Sequence, residues 1–102
     1  MTEVAYFIEK NNYTKDALGQ MIPAGKNRRE FFCRESSISR NEFDIAGKQG
    51  IRASIVLITA SVNYDNEEEV EYEGNRYSIY RTYKTPDSDE IELYLEKRIV
   101  NE

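Results

Sequence analysis

The chain has 102 residues, a formal net charge of −5, 39% apolar and 32% charged residues, no His, no Trp and one Cys. That length allows one domain with one modest core, marginal as a lone subunit, and leaves no room for a cofactor domain beside a substrate domain. The missing His removes the commonest general base and metal ligand and excludes Ser–His and Cys–His nucleophile pairs, while the lone Cys33 excludes an internal disulfide and points to an intracellular life.

The charge is uneven: residues 1–51 balance at +1 and residues 52–102 at −6. An acidic second half argues against a broad duplex-binding face, because affinity for nucleic acid rests on cations against phosphate. No apolar run approaches the roughly 20 residues needed to span a bilayer. Met1-Thr2-Glu3 opens the chain without the basic and apolar regions of a signal peptide. A soluble protein, cytoplasmic when made, is expected.

Taken in order, Val4 to Glu9 alternates and predicts a first strand, with Val4, Tyr6 and Ile8 on one face and Ala5, Phe7 and Glu9 on the other. Residues 11–27 carry turn signals at Asn11-Asn12, Gly19, Pro23, Gly25 and Lys26-Asn27. They read as a long connection with a short helical turn near Asp16 to Leu18. Connections of this length in a compact domain are usually functional or mobile. Arg28 to Glu35 is a second strand in which Phe31 and Cys33 alternate with Phe32 and Arg34. Apolar content on both sides sets one face against the core and the other against a neighbour.

Ser39-Arg40-Asn41-Glu42 is a capping-box pattern. The Ser39 hydroxyl is placed to accept from the Glu42 amide, and the Glu42 carboxylate to reach back. A helix is expected near residues 39–48, with Phe43 and Ala46 on one face and Gly47 or Gly50 as the stop. Ala53 to Val62 contains Ile55-Val56-Leu57-Ile58, a strand covered on both sides at the centre of the core. Asn63 to Asn66 makes a turn. Glu69 to Tyr72, the turn at Glu73-Gly74-Asn75, and Arg76 to Lys84 form a β-hairpin, with Tyr77, Ile79, Arg81 and Tyr83 on one face. After a turn at Thr85-Pro86-Asp87-Ser88-Asp89, Ile91, Leu93 and Leu95 alternate with Glu92, Tyr94 and Glu96 in a last strand ending near Val100. Six strands and one short helix predict a mainly β chain: a small antiparallel barrel or sandwich with a C-terminal meander, forming a single domain over residues 1–102.

No phosphate-binding glycine motif is present. The acidic run Asp65, Glu67, Glu68, Glu69, Glu71 and Glu73 alternates with apolar residues from Glu69 onward, as a solvated outer face does, and is read so in preference to calcium binding or glycoside hydrolysis. Asp87 to Glu90 reads as a turn. Lys26, Arg28, Arg29, Arg34, Arg40, Lys48 and Arg52 form a loose cationic series without aromatic interleaving. Scattered surface charge is the plain reading of it. A DNA- or subunit-facing surface is the alternative, for which Lys26, Arg28, Arg29, Arg40, Lys48 and Arg52 are the candidates. No catalytic, metal or cofactor-binding residue is expected, and no enzyme.

Residues 69–83, Glu-Val-Glu-Tyr-Glu-Gly-Asn-Arg-Tyr-Ser-Ile-Tyr-Arg-Thr-Tyr, followed by Ile-Glu-Leu-Tyr-Leu-Glu at 91–96, resemble the C-terminal meander of the head–tail joining (head-closure) proteins of long-tailed bacteriophages. Residues 32–43 with Ala46-Gly47 resemble the strand-to-helix segment of members from phages and prophages of Gram-positive bacteria. The resemblance implies a small β-barrel or sandwich that forms a ring, typically of twelve subunits, beneath the portal and adaptor. It implies the portal–adaptor connector, a tail-completion protein and packaged double-stranded DNA as partners, with no membrane and no small-molecule substrate, and the virion's head–tail interface as the location. In such proteins a loop projects into the channel, and the connections at 11–27 and 36–52 are the candidates here. A tail-completion or minor tail protein, or a nucleic-acid-binding module of oligonucleotide-barrel type, are the alternatives.

Overall fold

The computed structural model describes residues 2–9, 13–15, 21–23 and 27–98. The strands are β1 (Glu3–Glu9), β2 (Tyr13–Lys15), β3 (Met21–Pro23), β4 (Asn27–Ser37), β5 (Ala53–Ala60), β6 (Glu69–Tyr72), β7 (Asn75–Tyr83) and β8 (Glu90–Lys97), with one helix, α1 (Arg40–Lys48), between β4 and β5. Six strands close an antiparallel barrel in the order β1-β4-β5-β8-β7-β6, so the barrel alternative is the one realised. Closure comes from β1, which pairs with β4 on one side (Ala5 opposite Phe31) and β6 on the other (Ala5 opposite Tyr72). A closed sheet leaves little of the unpaired edge that makes open sheets prone to association.

The period-two pattern decides what fills the barrel. Ala5 and Phe7 of β1, Phe31 and Cys33 of β4, Leu57 of β5, Val70 and Tyr72 of β6, Tyr77 of β7, and Ile91, Leu93 and Leu95 of β8 form one buried cluster. The Phe7 and Phe31 rings stack at 3.9 Å. On the outside of β5, Val56 is also buried, so this strand is covered on both faces as its apolar run predicts. Phe32, on the outer wall opposite Val4, remains 57% exposed.

Several expectations are corrected. The connection at 11–27 contains β2 and β3, which pair with each other in a separate two-stranded sheet; three-residue strands give too few alternations to be read from sequence. The helical turn expected at Asp16 to Leu18 lies outside the described residues. The strand from Ala53 ends at Ala60 and passes into a 3₁₀ turn at Ser61–Asn63, and the last strand ends at Lys97 rather than near Val100. Tyr77, Ile79, Arg81 and Tyr83 do not share a face. Ile79 pairs with Leu95 but Arg81 pairs with Tyr94, so Tyr80 is an inserted bulge residue that turns Arg81 and Tyr83 outward.

Candidate functional site

Each barrel mouth is finished differently. At the Glu9 end, residues 61–68 carry the chain from β5 to β6, strands on opposite sides of the barrel, and so run across the opening. Tyr64 on this crossing packs against Phe7 at 6.0 Å between centroids. Arg29 fastens it. Its guanidinium lies 5.1 Å from the centre of the Phe7 ring, donates to the Asn63 carbonyl at 2.7 Å and to Glu67 at 2.6 Å, and pairs with Glu9. The Thr59 hydroxyl donates to the Phe32 carbonyl (2.7 Å) and accepts from Asn63 (2.9 Å), which ties the start of the crossing to β4. At the Glu35 end, the Tyr72 hydroxyl donates to Glu35 at 2.8 Å. Burial and that carboxylate push the Tyr72 phenol well above its ordinary range. Burial, with Glu3 and Glu35 nearby, pushes the Cys33 thiol up to about 11, so it stays protonated and unreactive at neutral pH.

Helix α1 buries Ala46 and makes its polar link to the outer wall through Glu42. Ser39 caps it as expected, its hydroxyl accepting from the Glu42 amide at 3.1 Å. The carboxylate half of the capping box is not made. Glu42 instead accepts from the Tyr80 hydroxyl at 2.7 Å and from two nitrogens of Arg81. The bulge at Tyr80 is the physical reason, because it sets Tyr80 and Arg81 side by side on the outer face, and charge-assisted bonds outcompete one to a backbone amide. Arg81 in turn lies 3.7 Å from the centre of the Tyr94 ring. Hydrogen bonds from Arg81, followed by that from Tyr80, hold the Glu42 carboxyl below the usual carboxylate range despite partial burial. The helix stops at Gly50 and not Gly47. The Ile51 and Gly50 amides donate back to the Ala46 and Gly47 carbonyls, a closure that needs the left-handed φ of +80° found at Gly50.

The acidic run is corrected at Glu67, whose side chain is 8% exposed and held by Arg29, and at Glu69. Glu69 and Glu71 face outward, but Glu69 is only 2% exposed and is clasped by Arg76 at 3.1 Å and Arg98 at 2.8 Å. Glu71 pairs with Arg28 at 2.7 Å. Alternation identified the face. It carried no sign of the two arginines that cover it, because Arg98 reaches Glu69 only across β7, through the register of the β6-β7-β8 meander.

The candidate cations divide into two sets. Arg28, over the Tyr6 ring and paired with Glu71, and Arg29 at the barrel mouth are engaged within the chain. Arg40, Lys48 and Arg52 are exposed, and no ion pair holds them among the described residues. Lys26 lies outside the described residues. Arg52 lines a shallow groove of about 370 Å³ with Lys97, Arg98, Glu96, Ser78 and Gly50, and its amide donates to Glu96 at 3.0 Å. Arg40 borders a larger open groove of about 600 Å³ at the Glu35 end, between α1 and the adjoining ends of β4 and β5, where Phe43, Ile38 and Ile55 supply apolar surface. The sequence therefore named the surface cations, but not the cluster of Glu42, Tyr80, Arg81 and Tyr94 that positions the helix bearing two of them.

Among the described residues no group of three or more His, Cys, Asp or Glu side chains is arranged to hold a metal ion. Among the same described residues no helix is long and apolar enough to cross a membrane. Compared with known proteins, the chain matches no protein-family model and no curated sequence.

Proposed function

We propose that the chain is a head-closure subunit of a long-tailed bacteriophage or prophage. It is a structural virion-assembly protein and not an enzyme. Its subunits form a ring, a dodecamer in the virion, below the portal–adaptor complex. The ring retains packaged double-stranded DNA and offers the docking surface for the tail and its tail-completion protein. The subunit is made in the host cytoplasm and ends at the head–tail interface of the particle.

One observation carries this reading. The two stretches that resemble head-closure proteins, 32–47 and 69–98, fall on the second half of β4 running into α1 and on the entire β6-β7-β8 part of the barrel. A barrel with a long connection at each end also suits a ring component, since the wall can face neighbours while the connections reach a channel or the next component. The exposed cations Arg40, Lys48 and Arg52 sit on or just after the second of those connections.

The test adds purified protein to DNA-filled capsids that carry portal and adaptor. The expected result is a ring of new density below the adaptor and slower loss of DNA. Absence of the ring, together with equal DNA loss with and without the protein, overturns the proposal. Binding to isolated tails in place of capsids assigns the chain to tail completion.

A further inference from the structure

On the outer wall of the barrel, Ser36, Val56, Tyr94 and Arg81 stand in one row across β4, β5, β8 and β7. This row lies at the level of α1, because Arg81 is bound by Glu42 of the helix. The next row toward the Glu9 end is Arg34, Ile58, Glu92 and Tyr83. Phe32 follows two residues further along β4, its carbonyl bonded to Thr59 of β5. The wall beyond the helix is uncovered: Phe32 is 57% and Tyr83 49% exposed.

The helix is incompletely packed as well. A helix of nine residues is marginal unless a face of it is buried, and α1 buries only Ala46. Phe43 and Ile45, on its two flanks, are 53% and 47% exposed. Among the described residues these four and Val62, just past the end of β5, are the exposed large apolar side chains. One side of the barrel thus carries an apolar helix that lacks a wall and an apolar wall that lacks a helix.

The charges around the two surfaces are converse. The helix exposes the cations Arg40 and Lys48, with Asp44 between them. The wall sets the carboxylates Glu90 and Glu92 beside Ile58 and Tyr83, with Arg34 and Lys84 at their edges. Opposite charge around apolar surface is the complementarity that selects a partner. Helix and wall lie one beyond the other along the strands. A second copy, turned end for end, therefore supplies both missing parts at once.

We infer that two copies of this chain pair about a two-fold axis, α1 of each covering Phe32, Ile58 and Tyr83 of the other. A contact of this kind closes on itself and does not propagate into a ring. It goes beyond the head-closure reading and does not rest on it. Under that reading the pair is the free subunit, which assembly on the connector must open.

Two variants test the contact, Phe43→Asp on the helix and Phe32→Lys on the wall. Both change half-exposed side chains, and circular dichroism with urea unfolding verifies that both stay folded. Sedimentation and native mass spectrometry at rising concentration read the association. The wild-type chain is expected to form dimers and nothing larger. Each variant alone loses both halves of the contact and is expected to dimerise at least tenfold more weakly. An equimolar mixture is expected to recover a mixed dimer, identified by its mass. That dimer keeps one native helix–wall contact and sets the introduced carboxylate and ammonium together in the other. The inference is overturned if the wild-type chain stays monomeric up to millimolar concentration or grows beyond dimers. It is overturned equally if either variant dimerises as well as the wild type, or if the mixture pairs no better than the variants alone. Any of those results leaves the head-closure reading to the capsid assay. Dimers of the expected kind with no effect on capsids remove the head-closure reading alone.

Discussion

Glu42 shows how much can depend on one carboxylate. It accepts from Tyr80 and from two nitrogens of Arg81, and it carries the main polar link between α1 and the barrel wall. Glu42→Gln removes the charge and is expected to destabilise the fold by about 1–2 kcal/mol, discounted because Arg81 is partly exposed. Urea unfolding measures it. The folded state holds this carboxyl below its ordinary value near 4.5. Its contribution is therefore full above that value and disappears as pH falls through the lower folded value. The wild-type and Glu42→Gln stabilities should differ most near neutrality and converge in acid. Glu69 is a second such residue, buried between Arg76 and Arg98. Glu69→Gln is expected to cost about 2 kcal/mol, below the cost of breaking a fully buried pair because both arginines retain access to water. In the core, Leu57→Ala is expected to cost about 3 kcal/mol through lost transfer energy and the cavity left behind.

At the scale of elements, turns and one bulge decide what the strands present. The β6–β7 turn has positive φ at both Glu73 (+50°) and Gly74 (+78°), the pair of left-handed residues that matches strand twist in a two-residue hairpin. A Cβ at Gly74 would touch nothing within 4 Å, so Gly74→Ala is expected to cost only the conformational strain, about 1 kcal/mol, read from thermal unfolding. The bulge at Tyr80 has the larger structural consequence. Without it Arg81 would point into the barrel, and Glu42 would keep only Tyr80 as a partner on the wall. Local alternation from Arg76 to Lys84 supports a strand but is blind to one extra residue, because a bulge is fixed by the register against β8. The capping box was legible for the same reason that its failure was not: Ser39 and Glu42 are neighbours in sequence, whereas Glu42 and Arg81 meet only in the fold.

At the scale of the whole molecule, the separation of engaged from exposed cations sharpens how a DNA-facing role is tested. Removing Arg29 would unfasten the Glu9 mouth, so lost function would report lost structure. Arg40→Ala with Arg52→Ala touches exposed side chains and is expected to change stability by no more than about 0.5 kcal/mol. In the capsid assay the double variant is expected to retain DNA less well and to show a weaker dependence on salt, as loss of phosphate contacts requires. Unchanged retention removes both residues from any DNA-facing set.

Much of the architecture was legible in the sequence. Period-two alternation in Val4–Glu9, Glu69–Tyr72 and Ile91–Glu96 marks strands, in the last two also their inner faces, and the apolar run at 55–58 marks the strand covered on both sides; that Ala5 and Phe7 form the inner face of β1 came from the fold. Such signals are local, because a side chain's face follows from its neighbours two residues away. The sequence alone could not choose between barrel and sandwich, nor show that β1 closes the sheet against β6. It also could not show that Arg29 spans a mouth or that Glu69 lies beneath two arginines. Those facts depend on pairings between residues far apart in the chain, such as Ala5 with Tyr72 and Ile79 with Leu95. They are settled only when the six strands take a common register around one core, because a shift of one residue would turn every inward side chain to the outside.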